Sequence, residues 1–110
     1  MAETVDKATI LLLKTERIKD PVKVSQARTE LETLEVPATG PFEELLYHIN
    51  GVIWNVEDKL RELEKKDEFG PEFIMLARSV YFGNDLRSQV KARISKILGE
   101  QVKEVKSYIN

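Results

Sequence analysis

The chain has 110 residues, 17 of them Lys or Arg, 19 Asp or Glu, one His and no Cys. That length holds one hydrophobic core but not two, and the missing thiols exclude a disulfide scaffold or a Cys-ligated metal. The longest apolar run, Ile10-Leu11-Leu12-Leu13, ends at Lys14 and is far too short to cross a bilayer. The first residues are acidic and lack a basic n-region, so no signal peptide is expected and the expected location is cytoplasmic.

Pro and Gly mark the seams between four helical segments. The first is expected over about 3–19, with Val5, Ala8, Leu11, Leu12 and Ile18 at helical spacing. Asp20-Pro21 supplies an N-cap and a first-turn proline for a second helix over about 21–34. Val36 to Gly40 has no apolar period and reads as a loop. A long third helix follows over about 41–66, where Phe42, Leu45, Ile49, Val52 and Val56 repeat every three or four residues. Ile53 and Trp54 lie off that line, as a surplus apolar face. A turn around Asp67 leads into a fourth helix over about 71–98, with Phe73, Leu76, Ala77, Val80, Val90, Ile94, Ile97 and Leu98 on one side and Gly99 as C-cap. The tail, with Val102, Val105, Tyr108 and Ile109 at helical spacing, is expected as a docked turn or strap.

This pattern predicts an all-α fold, a helical bundle built on a long antiparallel hairpin and carrying two N-terminal helices. Residues whose numbers sum to about 134 should lie level in the hairpin, which sets Gly51 opposite Gly83. Each interior Gly costs about 1 kcal/mol relative to Ala, so two at one level imply close packing. Helices of roughly 39 and 42 Å exceed what a compact globule of this size needs, and the expected partner is a second copy.

Charge is uneven along the chain. Residues 1–35 carry 6 basic and 7 acidic groups, residues 36–70 carry 4 and 8, and residues 71–110 carry 7 and 4. The acidic middle and basic end are expected to pair across the hairpin. No domain-wide basic excess suggests nucleic acid, and the mixed charge of the first helix does not suit a membrane surface.

Polar lines run where burial is expected. The third helix has Asn50, Trp54, Glu57, Arg61 and Glu64 on one face, with Asp58 beside it. The fourth has Asn84, Arg87 and Lys91 between apolar ends, with Tyr81 and Asp85 adjacent, and the first has Lys7, Lys14 and Arg17. The hairpin arithmetic sets Glu57 near Arg78, Trp54 near Tyr81, and Asn50 near Asn84 and Asp85. Buried polar groups must find partners, so removing Glu57 or Arg87 should strand a charge.

Four segments, VDKATILLLKTERI at 5–18, NGVIWNVEDKLRELE at 50–64, FGPEFIMLARSVYFGNDLRSQVKARI at 69–94 and EVKSY at 104–108, carry a resemblance. They resemble a family of small bacterial and phage proteins defined by a domain of unknown function. The resemblance implies an all-helical fold and assigns no activity, cofactor or metal. The residues that match the family pattern are Asp6, Lys7, Lys14, Arg17, Asn50, Trp54, Glu57, Asp58, Arg61, Tyr81, Asn84, Asp85, Arg87, Lys91, Lys106, Ser107 and Tyr108.

Three roles fit the polar constellation. In a non-catalytic assembly or recognition module, the lines form a network that fixes helix register, and the homodimer meets an unidentified protein partner. In an anion-binding protein, Lys7, Lys14, Arg17, Arg87 and Lys91 surround a phosphorylated or carboxylated small molecule, with Trp54 and Tyr81 as an aromatic wall. In a Mg²⁺-dependent enzyme resembling nucleotide pyrophosphohydrolases, Glu57, Asp58, Glu62 and Asp85 supply oxygen ligands. The last requires carboxylates that share a face, whereas Glu57 and Asp58 diverge by about 100° on a helix. His48 has no nucleophile at a useful spacing and belongs on the solvated side of the third helix.

Overall fold

In the computed structural model, which describes residues 1–99, four helices follow the expected order. They are α1 (Ala2–Arg17), α2 (Pro21–Thr33), α3 (Pro41–Lys65) and α4 (Pro71–Ile97). The fold is all-α, and α3 and α4 form the long hairpin. The expected tail over 100–110 lies outside the described residues.

Local chemistry explains the seams. The Asp20 carboxylate accepts from the Val22 amide at 2.9 Å, and Pro21 occupies the first turn of α2. At the far end of α3 the chain reverses through Asp67, whose φ of +53° is in the left-handed region that Asp tolerates better than most residues. There the Glu68 amide donates to Leu63 O at 2.9 Å, closing the helix end. Gly99, at φ +77°, takes the expected position just beyond α4. Glu43 and Glu44 lie in the first turn of α3 and Lys65 in its last, each favoured by the helix dipole.

The core lies where α1 crosses the open end of the hairpin. Ala2 and Val5 of α1 pack with Leu46 and Ile49 of α3 and with Val90 and Ile94 of α4. Phe42, Ile53, Val36 and Leu98 close its edges. The inward face of α3 therefore differs from the expected line. Leu46 is fully buried, whereas Leu45 and Val52 are 43% and 62% exposed. On α1 the same shift buries Leu13 and turns Leu12 outward. Both helices have apolar residues on two faces, so spacing alone leaves the inward one undetermined. The surplus face is the Leu45–Val52 side, and Ile53 is among the residues packed on the core.

The two glycines do not meet. A Cβ at Gly51 would face α1, 3.7 Å from Leu13 and Arg17, which is ordinary contact. A Cβ at Gly83 would come within 2.9 Å of Ile53 Cγ1, so the Ile53 side chain of α3 packs directly on the α4 backbone there. Gly51→Ala should raise stability by about 0.5–1 kcal/mol through helix propensity. Gly83→Ala must displace Ile53, and overpacking costs about 1–3 kcal/mol, so it should be the less stable of the two in urea unfolding. Equal gains at both positions would contradict this packing.

Candidate functional site

The polar constellation gathers around a residue of α1. Asp6 is 3% exposed and lies one turn from the N-terminus of its helix. Its Oδ1 accepts from Asn50 Nδ2 of α3 at 2.9 Å and from Arg87 Nε of α4 at 3.0 Å. Its Oδ2 accepts from Arg87 Nη2, which makes a bidentate pair. The Asn50 amide also donates to Thr9 Oγ at 2.8 Å, and that hydroxyl donates to the Asp6 carbonyl at 2.8 Å. Lys91 Nζ lies 2.7 Å from Glu3 Oε1 and 3.8 Å from Asp6 Oδ2. Two acids and two bases, Glu3, Asp6, Arg87 and Lys91, thus cancel within one cluster that joins three helices.

The electrostatics favour an ionised pair. Burial pushes the Asp6 carboxyl up, but the hydrogen bonds from Arg87 and Asn50 and the charges of Arg87 and Lys91 outweigh it. Together they hold the group below the ordinary carboxylate range. The hydrogen bond to Asp6 likewise holds the Arg87 guanidinium above its ordinary value.

The other expected members disperse. Lys7 turns to α2 and pairs with Glu30 at 2.6 Å, which draws the Glu30 carboxyl below its usual range. Arg17 donates to Asn55 of α3, and the Tyr47 hydroxyl donates to Glu16, which holds the phenol above its ordinary value. Lys14 is half-buried on α1. Trp54 and Glu57 are half-buried, and no hydrogen bond or ion pair joins Glu57 to Arg78 among the described residues. Arg61 pairs locally with Asp58 at 3.2 Å on the surface of α3. Tyr81, Asn84 and Asp85 are all exposed on α4, so the expected pairings of Tyr81 with Trp54 and of Asn84 or Asp85 with Asn50 do not form.

The charge pairing across the hairpin is also corrected. Among the described residues no ion pair links α3 to α4; two cations of α4, Arg87 and Lys91, pair with acids of α1 instead. The reason is positional, because α1 inserts its acids at the open end while the facing sides of α3 and α4 are apolar.

No single ligand site collects the five cations, since Lys7 points to α2, Arg17 to α3, and Arg87 and Lys91 into the cluster. Glu57, Asp58, Glu62 and Asp85 do not converge either. Among the described residues no group of three or more His, Cys, Asp or Glu side chains is placed to hold a metal ion. A groove of about 590 Å³ between α1, α2 and α3 is lined by Thr9, Leu12, Leu31, Tyr47 and the carboxylates of Glu43 and Glu44. Its acids disfavour an anion. His48, beside it, is exposed and stacks edge-on against Tyr47.

Sequence spacing did not single out Asp6, Thr9 and Glu3 as site residues. Asp6, Thr9 and Leu13 follow one another at three and four residues and share a face with Ala2, so the signal was a polar pair inside a buried stripe. No family model, curated protein or solved structure matches the chain. No described helix is long and apolar enough to cross a membrane.

Arg87→Ala leaves the Asp6 carboxylate buried without its main partner and should cost about 2–4 kcal/mol in urea unfolding. Glu57→Ala, with no partner to strand, should cost about 0.5 kcal/mol or less. Because the folded-state pKa of Asp6 is depressed, its contribution is complete above the unfolded value of about 3.9 and fades as pH falls further. The stability advantage of the native chain over Asp6→Asn should therefore be constant from pH 7 to about 5 and shrink below about pH 4. An advantage that grows on acidification would contradict the pairing.

Proposed function

We propose that this chain is a non-catalytic assembly or recognition module that works as a homodimer in the cytoplasm, and that it belongs with the small helical bacterial and phage proteins it resembles. One observation carries the reading: Lys7, Arg17, Arg87 and Lys91 are each engaged by a neighbouring side chain rather than converging on one site, while large apolar groups face outward. Val52, Ile74, Met75, Tyr81 and Phe82 are each more than half exposed, and all five lie on the hairpin. Contiguous exposed apolar surface beyond a few hundred Å² marks an interaction site more often than not.

Shape supports the same reading. The radius of gyration is 16.2 Å, against about 13 Å for a compact chain of this length. The α1–α2 pair covers only one end of the hairpin. The last link from α1 to α3 is Arg17 to Asn55, so the remaining turns of the hairpin have only each other. In this proposal the Asp6 cluster is a register device: it holds α1 across α3 and α4 in one arrangement and leaves the far half of the hairpin free to present its surface.

Light scattering at micromolar concentration should give twice the chain mass of 12.6 kDa, with a melting temperature that rises with protein concentration. Phosphate, sulfate, nucleotides and Mg²⁺ should leave that temperature unchanged. A monomeric mass, or a large shift with any of these ligands, would contradict the reading.

A further inference from the structure

On α4, Pro71, Met75, Arg78, Phe82, Asp85 and Gln89 recur at three- and four-residue spacing, and every one of them is exposed. They form the helix face opposite the one that carries Val80, Arg87 and Ile94. Phe82 and Met75 are each 64% exposed, and Ile74 and Leu86 widen the stripe on either side. On the side toward α3, Leu86 and Ser79 continue into a groove of about 240 Å³ lined by Val52, Ile53, Val56 and Val80. That groove passes Gly83, against which the Ile53 side chain packs. Exposed apolar side chains therefore extend from Val52 on α3 to Leu86, Phe82 and Met75 on α4.

Two charges sit on this stripe, and their placement is informative. Arg78 lies four residues before Phe82 and Asp85 three residues after it. Neither has an ion pair among the described residues, whereas Arg87 and Lys91 on the inward side of α4 pair with acids of α1. A second copy laid antiparallel, with a two-fold axis through Phe82, brings Arg78 level with Asp85 of the partner subunit to within one residue, or about 1.5 Å of helix rise. The two-fold makes this happen twice. A parallel arrangement would instead set Arg78 against Arg78 and Asp85 against Asp85, and like charges facing each other oppose association.

We propose that a second copy of this chain docks on the outward face of α4, antiparallel, with Phe82 on the two-fold axis and Arg78 paired with Asp85 of the partner subunit. Resting on the homodimer reading above, it specifies the surface and the symmetry. The interface is isologous: Phe82 meets its own equivalent at the centre, Met75 and Leu86 flank it, and the two charge pairs border the apolar core. The α3 sides of the two hairpins come together along their grooves, so the four long helices make one bundle across the two-fold. Buried aromatic anchors ringed by complementary charges are the usual anatomy of such a contact.

A charge-swap series tests it by sedimentation or light scattering across a dilution range. Arg78→Glu and Asp85→Arg, each alone, should weaken the dimer about tenfold or more, because each puts like charges together at both ends of the interface. The double substitution Arg78→Glu with Asp85→Arg should restore the dimer to within about threefold of the native value, since it exchanges the partners without losing them. Phe82→Asp should give monomer, and Val22→Ser, an equally exposed change on α2, should leave the dimer intact. All of these sites are exposed, so unchanged helical circular dichroism and melting of the monomeric species serve as the folding control. A dimer indifferent to all four α4 variants overturns this face and leaves the homodimer reading standing. A monomer at every concentration overturns both, and leaves the face to residues 100–110 or to a different protein.

Discussion

The structure depends on one buried carboxylate. Asp6 sits at the crossing of α1 with the hairpin, and its two oxygens take hydrogen bonds from Asn50 on α3 and Arg87 on α4. A charge in that position is tolerable only because each partner arrives from a different helix at once. Sliding any one helix by a turn would strand Asp6 or Asn50 away from water, or leave Arg87 without its carboxylate. Apolar contacts among Val5, Leu46, Ile49, Val90 and Ile94 supply much of the attraction. They would tolerate a range of alignments, and the polar cluster rejects most of them.

The same arrangement explains why the molecule is uneven. The ion pairs between α1 and the hairpin are concentrated in one cluster, where Glu3, Asp6, Arg87 and Lys91 neutralise one another. Between α3 and α4 the contact is apolar, with Gly83 letting Ile53 come close. The outer face of α4 keeps Met75 and Phe82 in solvent. The α2 helix is attached through α1, by the packing of Ala27 and the exposed Lys7–Glu30 pair, and it buries little else. One end of the molecule is organised by charge, and the other is left apolar.

How legible this was in the sequence varied with the kind of signal. Helix ends were readable because their causes are local: Asp20 with Pro21, the turn around Asp67, and Gly99 each act on the backbone beside them. The inward face was harder. On α3 both Leu45–Val52 and Leu46–Ile49 have helical spacing, and only the position of α1 decides between them. The expected site was spread over thirteen residues because every polar line was assumed to face inward. Asn50, Arg87 and Lys91 do, whereas Tyr81, Asn84 and Asp85 face outward. Asp6 belongs to the family pattern but to none of the polar lines, because a single acid near a helix start is usually solvated and its burial is set by residues more than forty positions away.

The most direct measurement of the central claim is a double-mutant cycle on Asp6→Leu and Arg87→Met, read by urea unfolding with protein concentration held fixed. Each single change strands a buried charge, whereas the pair together removes both. The double variant should therefore be markedly more stable than the sum of the two losses predicts, with a coupling of about 1–3 kcal/mol. Losses that add to within about 0.5 kcal/mol would mean that the two groups do not depend on one another, and that the helix register is held by apolar packing alone.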